Sequence, residues 1–402
     1  MTRPNYGRVA PGLRRTIGDP ARAQDGLSAG SVPEPCTARI AVDLLGGDHA
    51  PAVVVDGALR ACQADPALHL LLVGTVEAAG AVLAALGPAE RERVSTMAAP
   101  AERADLVRAV PLAEQAVPLV EQEALARRER IAWESRDRAA PGDSRSEHDR
   151  REVATGGRRP RSAEGWVESG VRTAVLAVAQ GLADGVVSAG NTGATVTSAA
   201  LGLGRWPGVR RPPLAAVLPT AAGRLVLLDV GSSVDPDVAT LAMHARLGAA
   251  YAMSVHGIAA ARVGLLTIGT ESGKGDKLRR AAPAVLAAQH LPAGARFIGL
   301  VEGHDVVLGA AADVVVTDGF TGNVLLKGLE TSYALVGPPP HPSEAPPRAA
   351  ILLGVGGTVV VCHGAADAND LAAGIALAAH LHRHAAVAAI AGLISQNEVS
   401  HE

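Results

Sequence analysis

Aromatic residues are nearly missing from this sequence, which has three Trp, three Tyr and two Phe among 402 residues. That scarcity argues against base-stacking platforms of the kind that hold single-stranded nucleic acid. It also forces any core to be built from Ala, Val and Leu, as in sheets covered by helices on both faces. Cysteine is equally sparse. Cys36, Cys62 and Cys362 are odd in number and far apart, so neither a disulfide framework nor a C-x-x-C metal or redox pair is available, and a reducing compartment fits best. No sign of charge dominates: 37 basic residues stand against 40 acidic ones, which removes the global electrostatic case for nucleic acid. A local anion site stays open. Long apolar runs are absent too, and the N-terminal MTRPNYGRVAPGLRRTIGDP carries no continuous apolar stretch. The expectation is a soluble cytoplasmic chain, at most peripheral to a membrane.

What the sequence has is alternation. Residues 1–38 carry Pro, Gly, Arg and Ser without periodicity and read as a disordered leader. From Arg39 to about Leu393, short β-branched or Leu-rich runs (RIAVDLL, LHLLLVG, GVVSA, LAAVLP, RLVLLDV, RVGLLTI, ARFIGLV, ADVVVTD, TVVVCHG) alternate with Ala-rich helical runs. This is the pattern of βαβ units on a mostly parallel sheet, an α/β fold with helices on both faces. Two stretches break it. Residues 127–165 are dense in both charges and read as a surface insertion, and the Pro-rich 336–347 reads as a linker. Residues 394–402 read as a tail.

Several of the strands end in loops rich in Gly, Asp and Asn with a helix following. In open parallel sheets the carboxyl edge gathers ligands, because helix N-termini present unpaired N–H groups there. SAGNTGA places Gly190 and Gly193 around Asn191 and Thr192, a cradle for a phosphate or an oxyanion, or simply a tight turn capped by Thr192. In DVGSSVDPD, Asp235 suits a helix cap before Pro236, with Asp237 in the first turn. GTESGKGDK fails as a Walker A loop, since three residues separate Gly269 from Gly273 and no Ser or Thr follows the Lys. Lys274 between Gly273 and Gly275 is still a cation on a loop able to approach a ligand, or else a solvated side chain. DGFTGNVLLK sets Asp318, Thr321 and Asn323 on a turn and Lys327 in the next helix. His380, His382 and His384 alternate within a predicted helix, where the three cannot share one face, so they read as solvated rather than metal-binding.

Taken in order, AVDLLGGDHAP, SAGNTGA, LLDVGSSVD, GTESGKGDKL, FIGLVEG, DGFTGNVLLK and LLGVGGTVVVCHGAADAND resemble the PlsX family of phosphate acyltransferases. The resemblance implies a three-layer α/β/α fold similar to isocitrate/isopropylmalate dehydrogenases and phosphotransacetylases, usually a homodimer and without cofactor or metal. It implies acyl carrier protein as acyl donor, inorganic phosphate as acceptor, and a product consumed by a glycerol-3-phosphate acyltransferase, with weak peripheral membrane contact. Onto this sequence it carries Lys274 and the SAGNTGA amides as phosphate ligands, with Gly190, Thr192, Gly193, Gly273, Gly275 and Thr321 shaping the site. Asn191, Thr192, Asn323 and Lys327 would support the tetrahedral intermediate, and Asp48 and His49 would orient substrate or move a proton, unless they form a buried hydrogen-bonded pair. Three features depart from the family pattern. The charged insertion replaces a basic helix, Leu300 and His304 stand where Asn and Arg are usual, and the segment after the DGFTGNVLLK helix is short. An acyl-CoA:phosphate transacylase and a catalytically weakened carrier-protein-binding relative are the other readings. No G-x-G-x-x-G run supports a dehydrogenase, the nearest being GLGRWPG.

Overall fold

A computed structural model describes residues 37–99, 161–271, 273–337 and 349–399. The expected leader up to residue 36, most of the charged stretch 127–165 and nearly all of the Pro-rich segment lie outside them. Two boundaries move. A helix begins at Arg161, inside the expected insertion, and the last helix runs on to Val399, into the expected tail.

The strands are β1 (Ala38–Asp43), β2 (Leu68–Gly74), β3 (Val94–Ala98), β4 (Gly185–Ser188), β5 (Leu214–Thr220), β6 (Gly223–Leu228), β7 (Arg262–Leu266), β8 (Arg296–Val301), β9 (Val314–Val316), β10 (Ala349–Leu352) and β11 (Thr358–Cys362). They form one sheet in the order β3-β2-β1-β4-β11-β10-β5-β6-β9-β7-β8. The principal helices are α1 (Ala52–Ala64), α2 (Val76–Ala85), α3 (Pro88–Arg91), α4 (Arg161–Ala179), α5 (Thr192–Gly202), α6 (Val238–His256), α7 (Lys277–Ala288), α8 (Gly303–Leu308), α9 (Gly319–Val336), α10 (Ala368–Arg383) and α11 (Ala386–Val399).

The period of two along each strand divides the core into two layers. Ile40, Val42, Leu70, Leu72, Val226, Leu228, Val314 and Val316 pack with α1, α2, α6, α7, α10 and α11. Their alternates Ala41, Leu71, Val73, Leu225, Leu227 and Val315 pack on the other face with α4, α5, α8 and α9. Small side chains let helices of one layer come close: a Cβ on Gly57 of α1 would stand 2.6 Å from Leu371 Cβ of α10.

Strand direction is where the sequence reading and the structure part. The alternation pointed to a single carboxyl edge, but β11/β10, β10/β5 and β5/β6 are antiparallel. Three reversals in a row turn β6, β9, β7 and β8 against β1, β4 and β11. The strand order then maps onto itself about the β10/β5 pair, β1 on β7, β4 on β9 and β11 on β6. Loops at the carboxyl ends of the two halves leave opposite ends of the sheet. Strand order and direction are those that a two-fold axis normal to the sheet between β10 and β5 would relate.

Candidate active site

In the first half the site is built around the end of β1. Asp43 is 1% exposed. Its Oδ2 accepts from Ser188 Oγ at 2.8 Å and its Oδ1 from the Leu45 amide at 3.1 Å. Burial pushes this carboxyl up to about 6, against the opposing effect of the Ser188 hydroxyl and the Leu45 and Gly46 amides. Glycine is required at Gly46, where a Cβ would stand 2.6 Å from the Gly190 nitrogen and 2.7 Å from Asp43 Oδ2. The β1 and β4 loops thus touch backbone to backbone. The Gly190 amide donates inward to Ser188 Oγ at 3.0 Å, not outward to a ligand.

Asn191, not Thr192, caps α5, its Oδ1 accepting from the Ala194 amide at 3.0 Å. An Asn in extended conformation before the first helical residue satisfies one first-turn donor, and the Thr192 and Gly193 amides remain without an intrahelical partner. Gly193 lies in that first turn and does not take a positive φ, so backbone strain is not what calls for glycine there. Asp48 and His49 are exposed, not a buried pair. The Asp48 amide donates to Gly364 O at 2.8 Å, which brings in the loop before α10, where Asp367 and Asp370 form a capping box.

The second half carries Lys274 on the loop before α7 and Thr321, Asn323 and Lys327 on α9. Gly273 and Gly275 take φ of 86° and 85°, so the Lys274 loop is a turn that L-residues disfavour on both sides of the lysine. Lys274 itself is exposed. Asp318 caps α9, accepting from the Thr321 amide and hydroxyl, both at 2.8 Å. Thr321 and Asn323 therefore lie in the helix, one turn further on than the turn expected for them. Asn323 Nδ2 donates to Val230 O at 2.9 Å and fastens α9 to the loop after β6. Lys327 is exposed on α9 beside Phe320 and Val324, which are 63% and 59% exposed.

Arg279 is a residue the sequence reading missed. It is buried in α7, ion-paired with Asp276 at 2.6 Å and with Asp318, and it bonds Leu266 O at 3.1 Å and Thr317 Oγ1 at 3.0 Å. One guanidinium thereby joins the Lys274 loop to the cap of α9. Burial raises the Asp318 carboxyl, but the Thr321 amide, Arg279 and the Thr321 hydroxyl hold it below its ordinary range. The loop after β6 is organised by another buried carboxylate, Asp229, which accepts from the amides of Leu214, Gly231, Ser232 and Ser233. Burial raises Asp229 and lowers its neighbour His244. The next helix is capped by Asp237, two residues after the Asp235 expected. Elsewhere, His380 and His384 stack at 4.1 Å between ring centroids, while His382 turns in to within 3.7 Å of Asp184, so the three histidines are not one solvated face. Among the described residues no group of three or more His, Cys, Asp or Glu could hold a metal ion.

The family profile described as "Fatty acid synthesis protein" matches residues 38–118 and 153–337. The phosphate acyltransferase of Thermobifida fusca (strain YX) is 38% identical over 372 residues, covering 85% of this chain and 87% of its own length. The chain belongs to the PlsX-type phosphate acyltransferase family. The phosphate acyltransferase of Bacillus subtilis (strain 168) is a further relative, 35% identical and covering 73% of this chain and 71% of its own. Among solved structures, a phosphotransacetylase from Streptococcus pyogenes shares the fold with TM-score 0.50 and 17% identity, over 88% of this chain and 94% of its own. In this family member Leu300 is half-buried in β8, and His304 is exposed with its ring nitrogens 3.8 Å from Glu302 and 3.5 Å from Asp305.

Proposed function

We propose that the chain transfers a fatty acyl group from acyl carrier protein to inorganic phosphate, giving an acyl phosphate for phospholipid synthesis. The observation that carries this reading is the match to a curated phosphate acyltransferase over 85% of the chain, a span long enough to take in both halves of the site. The chemistry needs no covalent enzyme nucleophile. A phosphate oxygen forms the new C–O bond, the thioester C–S bond breaks, and the departing thiolate takes a proton. The protein's work is to hold phosphate against the thioester and to bind charge as it develops on the carbonyl oxygen.

Phosphate, in this reading, takes the Thr192 and Gly193 amides, free of intrahelical partners at the N-terminus of α5, and the Lys274 cation between the positive-φ residues Gly273 and Gly275. In this reading Asn191 offers its side-chain NH2 to the oxyanion, while Asp48 and His49 stand at the rim to orient substrate. Thr321 and Asn323 hold the second half together, and Lys327 with Phe320 and Val324 forms a mixed basic and apolar strip suited to the acyl end of the donor. The same reading makes the protein a cytoplasmic homodimer whose product passes to a glycerol-3-phosphate acyltransferase at the membrane. No single helix among the described residues is long and apolar enough to cross a membrane.

The test is product analysis with purified protein, phosphate and either acyl carrier protein thioester or acyl-CoA. Acyl phosphate from the carrier-protein donor at the higher kcat/KM supports the proposal. Preference for acyl-CoA identifies a transacylase of the other donor class, and no acyl phosphate from either donor at saturating phosphate identifies a binding relative without activity.

A further inference from the structure

Asp43 is the most deeply buried carboxylate in the first half of the site, and substrate cannot reach it. Three glycines enclose it from different elements: Gly46 on the following loop, Gly190 after β4, and Gly170 on α4, where a Cβ would stand 2.3 Å from Asp43 Oδ1. Its bonds run in one direction. Leu45 donates to one oxygen and Ser188 to the other, and Ser188 in turn accepts from the Gly190 amide. A carboxylate accepts at both oxygens and donates at neither, so the single Ser188 proton is committed to Asp43 and the hydroxyl oxygen faces Gly190.

We propose that Asp43 is a positioning residue for acyl transfer, acting through Ser188 to lock the Gly190 amide inward and so aim the Thr192 and Gly193 amides at the phosphate. The proposal rests on the reading that the turn after β4 binds phosphate. The lock works because the chain leaving β4 has only two residues, Ala189 and Gly190, between Ser188 and the Asn191 cap. If the Gly190 peptide rotates, the first turn of α5 rotates with it, and donors aimed at a phosphate oxygen lose alignment. Hydrogen bonds weaken steeply below about 120°.

Asp43→Asn is nearly isosteric but carries one donor end. The Leu45 amide can only donate, so the remaining oxygen turns to it and the NH2 to the Ser188 hydroxyl, reversing the bond that commits the Ser188 proton. An ionised carboxylate buried there costs folding energy, so the neutral variant should melt at or above the parent temperature at pH 7.5 while activity falls. A merely structural role predicts loss of both.

The experiment measures acyl-phosphate formation against phosphate concentration for the parent, Asp43→Asn, Ser188→Ala and the double variant, with melting temperatures on the same samples. Each single variant should lower kcat/KM for phosphate at least tenfold, with KM for the acyl donor within twofold of the parent. The double variant should be no worse than the poorer single one, because both cut the same chain. Singles within twofold of the parent, or effects that multiply in the double variant, overturn the proposal. Should the parent itself make no acyl phosphate, the phosphate reading fails separately. Hydrogen exchange of the 188–195 peptide then decides the lock, being faster in both single variants while the 229–237 peptide is unchanged. Unchanged exchange at 188–195 overturns it.

Discussion

Ser188 Oγ stands 2.8 Å from Asp43 Oδ2 across the β1–β4 pair, joining residues 145 positions apart in the chain. The bond sits where the two parallel strands end together, so whatever alters Asp43 is felt at the turn that starts α5.

The pH dependence of stability should report Asp43 directly. Burial holds its folded value at about 6 against 3.8 for the free side chain. A raised carboxyl contributes stability that is fully present below pH 3.8 and is lost as pH rises through 6. Two pKa units correspond to roughly 3 kcal/mol. The melting temperature of Asp43→Asn minus that of the parent should grow between pH 4 and 6 and level off above. A difference that stays constant across this window would show that the carboxyl does not titrate there.

Asn191 separates capping from catalysis. Asn191→Ala removes the acceptor for the Ala194 amide and should cost about 1 kcal/mol. Asn191→Asp keeps an equally good cap, favoured further by the helix dipole, yet sets an anion where phosphate is to bind. The expected result is a parent-like melting temperature with phosphate KM raised at least tenfold. An Asp variant as active as the parent removes the turn from the phosphate site.

Lys274→Ala should leave stability within about 0.5 kcal/mol, because the side chain is exposed. Phosphate KM should rise and kcat should fall. Kinetics within twofold of the parent on both counts would return Lys274 to the solvated surface.

Arg279→Ala strands the Asp318 and Asp276 carboxylates, the first of them buried, and should cost about 3–5 kcal/mol in urea denaturation. Arg279→Lys restores one charge but not the forked geometry, so it should fall between the two. A loss below about 1 kcal/mol for the Ala variant would mean that the network is not what joins the Lys274 loop to α9.

Much of this was legible in the sequence, and the misses have physical causes. The alternation of apolar runs gave the α/β class and most of the strands, but period says nothing of strand direction, so the reversal through β10, β5 and β6 was invisible. β3 and β10 did not register because VSTMA is broken by Ser and Thr and AAIL follows directly on the Pro-rich stretch. The caps at Asn191 and Asp237 were displaced by one and two residues because their loops offer several Asn, Asp, Ser or Thr in a row, and only backbone conformation chooses among them. Asp43 reads as an ordinary residue at the end of a strand. Its burial depends on Gly170 and Ser188, which the chain supplies more than a hundred residues later. Arg279 stands beside Arg280 and looks solvated until β9 brings Asp318 against it.

The place of β11 and β10, between β4 and β5, also dictates when this protein can fold. While residues 349–383 are still inside the ribosome, β4 and β5 each expose an open edge to any passing strand, and α1 lacks α10. Neither half of the nascent chain can close ahead of the other. The loop after β1 is synthesised early but acquires its last neighbour, Gly364 against the Asp48 amide, close to the end. A stalled or truncated chain is therefore more exposed to edge-to-edge association than a protein whose first half completes its own sheet.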